Sequence, residues 1–281
     1  MFSYRHGFHA GNHADVLKHV VLVQLLAHMA AKDKAFSFVD THAGAGSYSL
    51  GSDFAQKKHE FENGIGRLWK APALPAALEA YMAQVRALNR DGRLHFYPGS
   101  PQIALQMARP QDRLQLFELH STESEVLQAY FAGSDARVAV RAADGFAGLK
   151  SVLPPPSRRG LVLIDPSYED KQDYARVLDT VRDALKRFAT GIYAVWHPLV
   201  ERKAAHRMGA ELEQLAAGDW LHVSLKVGAP PADGLGLYGS GMFVFNPPWK
   251  LEGTLRETMP ALTRLLGQDP RATYGLKFRQ T

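Results

Sequence analysis

The chain has 281 residues, 46% of them apolar, which suits one large domain and excludes wholesale disorder. It contains no cysteine, so disulfides, iron–sulfur clusters and thiolate zinc sites are excluded. A net charge of +5 helps it approach polyanions such as nucleic acid without identifying one.

The N-terminal stretch "MFSYRHGFHAGNHADVLKH" lacks a signal-peptide core, because His, Arg and Asn interrupt it, and no apolar run approaches the ~20 residues of a membrane span. The expectation is a cytoplasmic protein with no membrane partner. Residues 12–31 read as a helix: Asn12 can cap it, Asp15 stands near a capping-box position, and Leu17, Val21, Leu25 and Met29 recur every fourth residue. Its first turn is crowded with His13, Lys18 and His19, which a simple core helix does not require. "AFSFVD" (35–40) reads as a buried strand, followed by the glycine-containing "THAGAGSYSLG". From about 50 to 95 the pattern turns helical, and this stretch reads as a helical subdomain inserted within a single domain of residues 1–281. "LHFYPGSPQIALQMA" then supplies a short extended piece, a turn and a helix from about 101. Further strands are expected at 114–118, 137–141, 161–165, 191–196, 221–226 and 241–246, with helices at 122–131, 145–151, 172–189 and 201–217. Strands alternating with helices argue for an α/β fold with a mostly parallel sheet.

In such sheets ligands lie beyond the carboxyl ends of the strands, where strand order reverses. The first strand is followed by Asp40, His42, Gly44 and Gly46, whose glycines let the backbone turn tightly against a ligand. The next sheet strand ends in Glu118, the place where a nucleoside ribose is usually gripped. The strand at 137–141 leads to "AADGF" with Asp144 and Gly145, and the strand at 161–165 ends in "DPSY". One acid after one strand is by itself a helix cap or a solvated loop residue. A glycine loop and three acids on one rim fit a nucleoside-type cofactor better. No G-x-G-x-x-G follows the first strand and no G-x-x-x-x-G-K-[ST] occurs, which argues against NAD and against a P-loop.

These residues resemble the class I S-adenosylmethionine-dependent methyltransferases. Members that methylate exocyclic amino groups of bases carry Asp or Asn, Pro, Pro and an aromatic residue after the fourth strand; "DPSY" is that motif with Ser167 for the second proline. The chain is similar above all to the bacterial 23S ribosomal RNA adenine-N6 methyltransferases of the RlmJ (YhiR) type. The similarity runs through "SYRHGFHAGNHADVLKH", "DTHAGAG", "YPGSP", "RRGLVLIDPSYE", "KRFATGIYAVW" and "SGMFVFNPPWKLE", nearly the whole chain. It implies a Rossmann-like fold with a seven-stranded, mostly parallel sheet. It also implies methyl transfer from S-adenosylmethionine to the N6 of one adenine in 23S ribosomal RNA, by a monomer acting before full ribosome assembly and without metal. His19, His42, Ser100, Glu118, Asp144 and Gly145 map onto cofactor contacts, together with Gly44 and Asp165. Tyr4 and His6 fall on the substrate side.

The chemistry suits these residue types. An adenine amino nitrogen is a poor nucleophile because its lone pair is delocalised into the ring. Asp165 would accept a hydrogen bond and take the proton, and the Pro166 carbonyl would supply a second acceptor. Tyr168 would stack on the extruded base, a contact worth ~1–3 kcal/mol. Lys18 and His19, in the first turns of a capped helix, suit a cofactor carboxylate or an RNA phosphate. "NPPW" at 246–249 matches the motif better in spelling, but the last strand of this fold runs antiparallel. Asn246 is therefore expected on the opposite rim, closing a turn with Trp249 packed beneath it. His9 and His13 have i, i+4 spacing but no completing ligand set, so no metal is expected. The insertion is partly basic and a candidate RNA grip. Two other functions remain open at this point: an adenine-N6 methyltransferase acting on DNA, and a catalytically silent RNA-binding protein of the same fold.

Overall fold

The computed structural model describes residues 6–133 and 136–280. Helix α1 (His13–Ala30) begins where Asn12 Oδ1 accepts the N–H groups of Ala14 and Asp15, at 2.9 and 3.0 Å. Asp15 reaches back to the Gly11 N–H at 2.9 Å, one residue beyond the partner a capping box would use. Strands β1 (Ser37–Asp40) and β2 (Ser47–Ser49) follow, then helices α2 (Asp53–Lys58), α3 (Ile65–Trp69) and α4 (Ala76–Leu88). Strand β3 (Phe96–Pro98) pairs antiparallel with β2, Tyr48 opposite Tyr97, so the helical stretch leaves and re-enters through a two-stranded clasp.

Beyond the clasp the elements alternate: α5 (Ser100–Met107), β4 (Arg113–Glu118), α6 (Ser121–Phe131), β5 (Val138–Ala142), α7 (Gly145–Leu149), β6 (Gly160–Ile164) and α8 (Asp173–Arg187). Then come β7 (Ile192–Leu199), α9 (Lys203–Leu215), β8 (Trp220–Lys226), β9 (Gly239–Phe245), α10 (Leu251–Leu266) and β10 (Thr273–Arg279). The main sheet has the order β10-β8-β9-β7-β6-β1-β4-β5. β5, β4, β1, β6 and β7 are mutually parallel, β9 is antiparallel to both β7 and β8, and β10 is antiparallel to β8.

The sheet thus has eight strands rather than seven. The additional one, β10, is an edge strand that alternates half-buried and exposed residues and carries Gly275 in its middle, a weak pattern beside the buried strands. Helix α10 was not among the expected elements; it carries Gly253 and Pro260, both of which weaken a helical pattern. It holds because Leu251, Leu255, Met259, Leu262 and Leu266 are buried against the sheet.

Both faces of the sheet are covered, as a buried parallel sheet requires. Along β6, Leu161 and Leu163 enter one core with α1, α5 and α10, while Val162 and Ile164 enter the other with α8 and α9. Among the described residues no helix is long and apolar enough to cross a membrane.

The register creates the site. Asp40, the last residue of β1, pairs with Leu116 of β4 and Leu163 of β6. Both neighbours run on, to Glu118 and to Asp165. The chain after β1 meanwhile crosses from β6 to β4: Thr41 N–H bonds to Leu163 O and Ala43 N–H to Phe117 O. β1 is where strand order reverses, so a notch opens at the switch point.

Candidate active site

A cavity of about 800 Å³ lies over this notch. Its wall is shared by the start of α1, the loop after β1, the ends of β4, β5 and β6, the residues after β7, and Lys58, Glu60 and Asn63 of the insertion. At its centre is a chain of charges. Lys18 Nζ donates to Asp15 Oδ1 at 2.8 Å and to Asp165 Oδ2 at 2.5 Å. Asp15 Oδ2 also accepts from His6 Nε2 at 2.9 Å. One buried cation between two carboxylates favours the charged form of each against burial. Burial works to raise Asp15, but His6 and Lys18 outweigh it and hold the carboxyl well below its ordinary range. Burial opposes the Lys18 charge too, and the two carboxylates overcome it, raising its pKa. For Asp165 burial wins: its pKa is raised even though Lys18 pulls the other way. No described residue donates to Asp165 Oδ1.

Asp40 is fully buried behind this chain. It accepts Ser100 Oγ–H at 2.6 Å and His42 N–H at 3.2 Å. Burial pushes its pKa up to about 7, opposed by the Ser100 hydrogen bond and assisted by Asp165. His42 bonds through Nδ1 to Thr41 Oγ1 at 2.8 Å and meets Phe146 edge-on. Burial lowers its pKa to about 3, so the ring is neutral. Glu118 receives the N–H groups of Gly44 and His120 at 2.8 and 2.7 Å, which ties the glycine loop to the end of β4. Gly44 has φ +61°, and a Cβ there would lie 2.2 Å from the Tyr48 hydroxyl. Gly145 starts α7 so close to β1 that a Cβ would lie 1.9 Å from Thr41 O. Asp144 caps α7 through the Phe146 N–H and accepts Arg176 at 2.5 Å. Arg176 also lies over the Phe146 ring, 4.4 Å from its centroid.

Pro166 and Tyr168 line the cavity next to Asp165. Tyr168 has φ +55° and is 2% exposed. Its hydroxyl donates to Trp196 O at 2.7 Å, and its carbonyl accepts from Arg202. Tyr174 and Trp196 meet its ring at 45° and 50°, so neither is stacked flat on its face. Ser167, in place of a proline, accepts the Glu169 N–H in a long 3.4 Å contact.

The residues expected at the site from sequence, Lys18, His19, His42, Gly44, Glu118, Asp144, Gly145, Asp165, Pro166, Tyr168, Ser100 and His6, all line this cavity. Tyr4 lies outside the described residues. Lys18, expected to suit a cofactor carboxylate or an RNA phosphate, gives two of its three N–H donors to Asp15 and Asp165. Sequence reasoning missed Asp15, Asp40 as a site residue, Arg176, Trp196 and Arg202. Asp15 was visible only as a helix cap, and the others acquire partners through tertiary contacts that carry no local signal.

The second motif behaves as its strand direction requires. β9 ends beside the start of β7, Phe245 opposite Tyr193, on the rim away from Asp165. Asn246 Nδ2 donates to the carbonyls of Ala189 and Gly191, which closes a turn. Trp249 is not packed beneath it: the ring is 69% exposed, with Lys250 Nζ 5.0 Å from its centroid. With two prolines before it and a helix starting at Leu251, the ring is carried outward from the sheet. Of the N-terminal histidines, His9 bonds to Glu60 at 2.9 Å and His13 is buried in the cavity wall.

This strand order, with the reversed β9 between β7 and β8 and acids at the ends of β1, β4 and β6, defines a Rossmann-like class I methyltransferase fold. The family model described as "Ribosomal RNA large subunit methyltransferase D, RlmJ" matches residues 33–279, and the chain belongs to that family. It is 50% identical over 262 residues to Ribosomal RNA large subunit methyltransferase J of Escherichia coli (strain K12), 93% of each chain. It is 45% identical over 279 residues to the Haemophilus influenzae protein of the same name, 99% of each. Among solved structures, protein LPL1258 of Legionella pneumophila superposes with a TM-score of 0.88 at 33% identity, covering 96% of this chain and 98% of that one.

Proposed function

We propose that this protein methylates the N6 amino group of an adenine in 23S ribosomal RNA, with S-adenosylmethionine as methyl donor and Asp165 as proton acceptor. The observation that carries this reading is Asp165 itself: a strand-end carboxylate at the switch point, with Oδ2 held by Lys18 and no described donor on Oδ1. The Escherichia coli and Haemophilus influenzae relatives are ribosomal RNA large subunit methyltransferases, which supports ribosomal RNA as substrate.

The cavity fits the donor. Glu118 and Gly44 would form the ribose-side cradle expected of a nucleoside cofactor, Asp144 and Gly145 stand at the next strand end, and His19 Nε2 is a buried polar atom without a partner among the described residues. S-adenosylmethionine would supply an electrophilic methyl group, so the protein has to orient and polarise more than activate. Asp165 Oδ1 would accept a hydrogen bond from the adenine amino group and then its proton. Lys18 keeps that carboxylate in place, and Asp15 with His6 keeps Lys18 in place. When Asp165 becomes neutral, the Lys18 charge is still balanced by Asp15. The Pro166 carbonyl would be the second acceptor for the amino group, and Tyr168 would form a wall against the base.

The test compares ribosomal RNA from cells with and without this protein by mass mapping of methylated adenines. One N6-methyladenine present only when the protein is present is expected. An identical modification pattern in both would end the proposal.

A further inference from the structure

His19 is held from behind by two tyrosines. Its Nδ1 lies 2.7 Å from the Tyr97 hydroxyl, which lies 3.0 Å from the Tyr81 hydroxyl, and all three side chains are buried. The His19 and Tyr97 rings are also stacked, with centroids 5.5 Å apart. Tyr97 belongs to β3 and Tyr81 to α4, so the inserted segment reaches the cavity wall through this chain. On its other side His19 Nε2 has no partner among the described residues. Burial first, and the Lys18 charge second, lower the His19 pKa to about 3. The ring is therefore neutral, with one donor nitrogen and one acceptor.

Where each proton can find a partner decides which nitrogen is which. The only hydrogen-bond partner of Tyr81 among the described residues is Tyr97. If Tyr81 donates to Tyr97 and Tyr97 donates to His19 Nδ1, every hydroxyl proton is used. Either direction leaves one proton without a partner among the described residues: from Nδ1–H to Tyr97 to Tyr81 it is the Tyr81 hydroxyl's, shut in the core, whereas in the first direction it is the one on Nε2, on a ring that lines the cavity where a ligand can accept it. Nδ1 is the acceptor, so Nε2 carries the hydrogen.

We infer that Tyr97, backed by Tyr81, is a positioning residue that locks His19 in the Nε2–H tautomer, presenting a neutral donor to the carboxylate of the cofactor's amino-acid tail. This rests on the proposed function for the identity of the ligand. His19 follows Lys18, whose ammonium touches Asp165, and lines the same cavity as Asp165, Glu118 and Asp144. Lys18 spends two of its three N–H donors on carboxylates, and His19 Nε2 adds a neutral donor in the same cavity wall.

Long-range proton–nitrogen NMR of histidine-labelled, ligand-free protein reads the tautomer directly, with His19 assigned through its contacts to Tyr97. The wild type is expected to show neutral Nε2–H. Tyr97→Phe should release the tautomer, whereas Tyr81→Phe should keep it, because Tyr97 can still donate to Nδ1. A purely packing role for the two hydroxyls gives no such split. By calorimetry, Tyr97→Phe should bind S-adenosylhomocysteine roughly tenfold more weakly and bind 5′-methylthioadenosine, which lacks the amino-acid tail, as the wild type does. A wild-type Nδ1–H tautomer, or an equal loss for both ligands, overturns the inference. Failure of the wild type to bind either ligand overturns the proposed function and the donor role with it, while the tautomer spectrum still decides the lock.

Discussion

Asp165 and Asp40 show what burial does to a carboxyl group at this site. Both are pushed upward, Asp165 against the pull of Lys18 and Asp40 against the Ser100 hydrogen bond. If ionised Asp165 accepts the proton, the rate should fall as pH decreases, beginning above the ordinary carboxylate range. Lys18→Met removes the cation that favours the ionised form, so the acid limb of the rate profile should move to higher pH; an unmoved limb would separate Lys18 from the chemistry. Asp40 yields a stability prediction. Its folded pKa of about 7 exceeds the unfolded value, so between about pH 4 and 7 the folded state binds the extra proton. Its contribution is therefore present at low pH and lost as pH rises, by up to about 1.4 kcal/mol per pH unit. Asp40→Asn cannot ionise, so raising pH from 5 to 8 should lower its melting temperature less than that of the wild type. Equal slopes would mean Asp40 keeps an ordinary pKa. Sequence alone marked Asp165 by its Pro and Tyr neighbours, but Asp40 looked like any strand-end acid until Ser100, 60 residues on, was seen against it.

At the scale of elements, pattern strength decided what was legible. The buried runs of β1, β4, β6, β7, β8 and β9 declared themselves, and their ends were found within a few residues. β10 and α10 did not, since an edge strand lacks the apolar run and Pro260 imitates a helix end. The join between the insertion and α1 was equally hidden. Gly64 lies against Gly11 and Asn12, where a Cβ would come within 2.0 Å of the Gly11 carbonyl, and Ile65 N–H donates to that carbonyl at 2.8 Å. Glu60 adds bonds to His9 and Asn12. Gly64→Ala should therefore cost about 2 kcal/mol or more in denaturant unfolding, because backbone and not a flexible side chain must give way. It should also disturb the cap of α1, which carries Lys18. A neutral effect on stability would show that this contact is looser than described.

For the whole molecule, the inserted helices are part of the main core. Ile65, Leu68, Leu78, Tyr81, Met82 and Val85 are buried in the same apolar cluster as α1, β1 and β6. Deleting residues 53–93 should therefore abolish cooperative unfolding, not merely weaken RNA binding; a deletion variant with a sharp thermal transition would contradict this. The insertion was expected as a basic grip, yet Arg86 pairs with Glu79, and Lys58 and Glu60 face the cavity together. It also completes the cavity wall, and its Tyr81 bonds to the Tyr97 hydroxyl that meets His19. Methyl transfer to ribosomal RNA through Asp165 is tested by incubating the purified protein with 23S ribosomal RNA and methyl-labelled S-adenosylmethionine, then digesting the RNA to nucleosides. Label in N6-methyladenosine is expected with the wild type, with transfer by Asp165→Ala reduced about 10²–10⁴-fold and cofactor binding retained. Undiminished transfer by Asp165→Ala, or label in any other nucleoside, would contradict it.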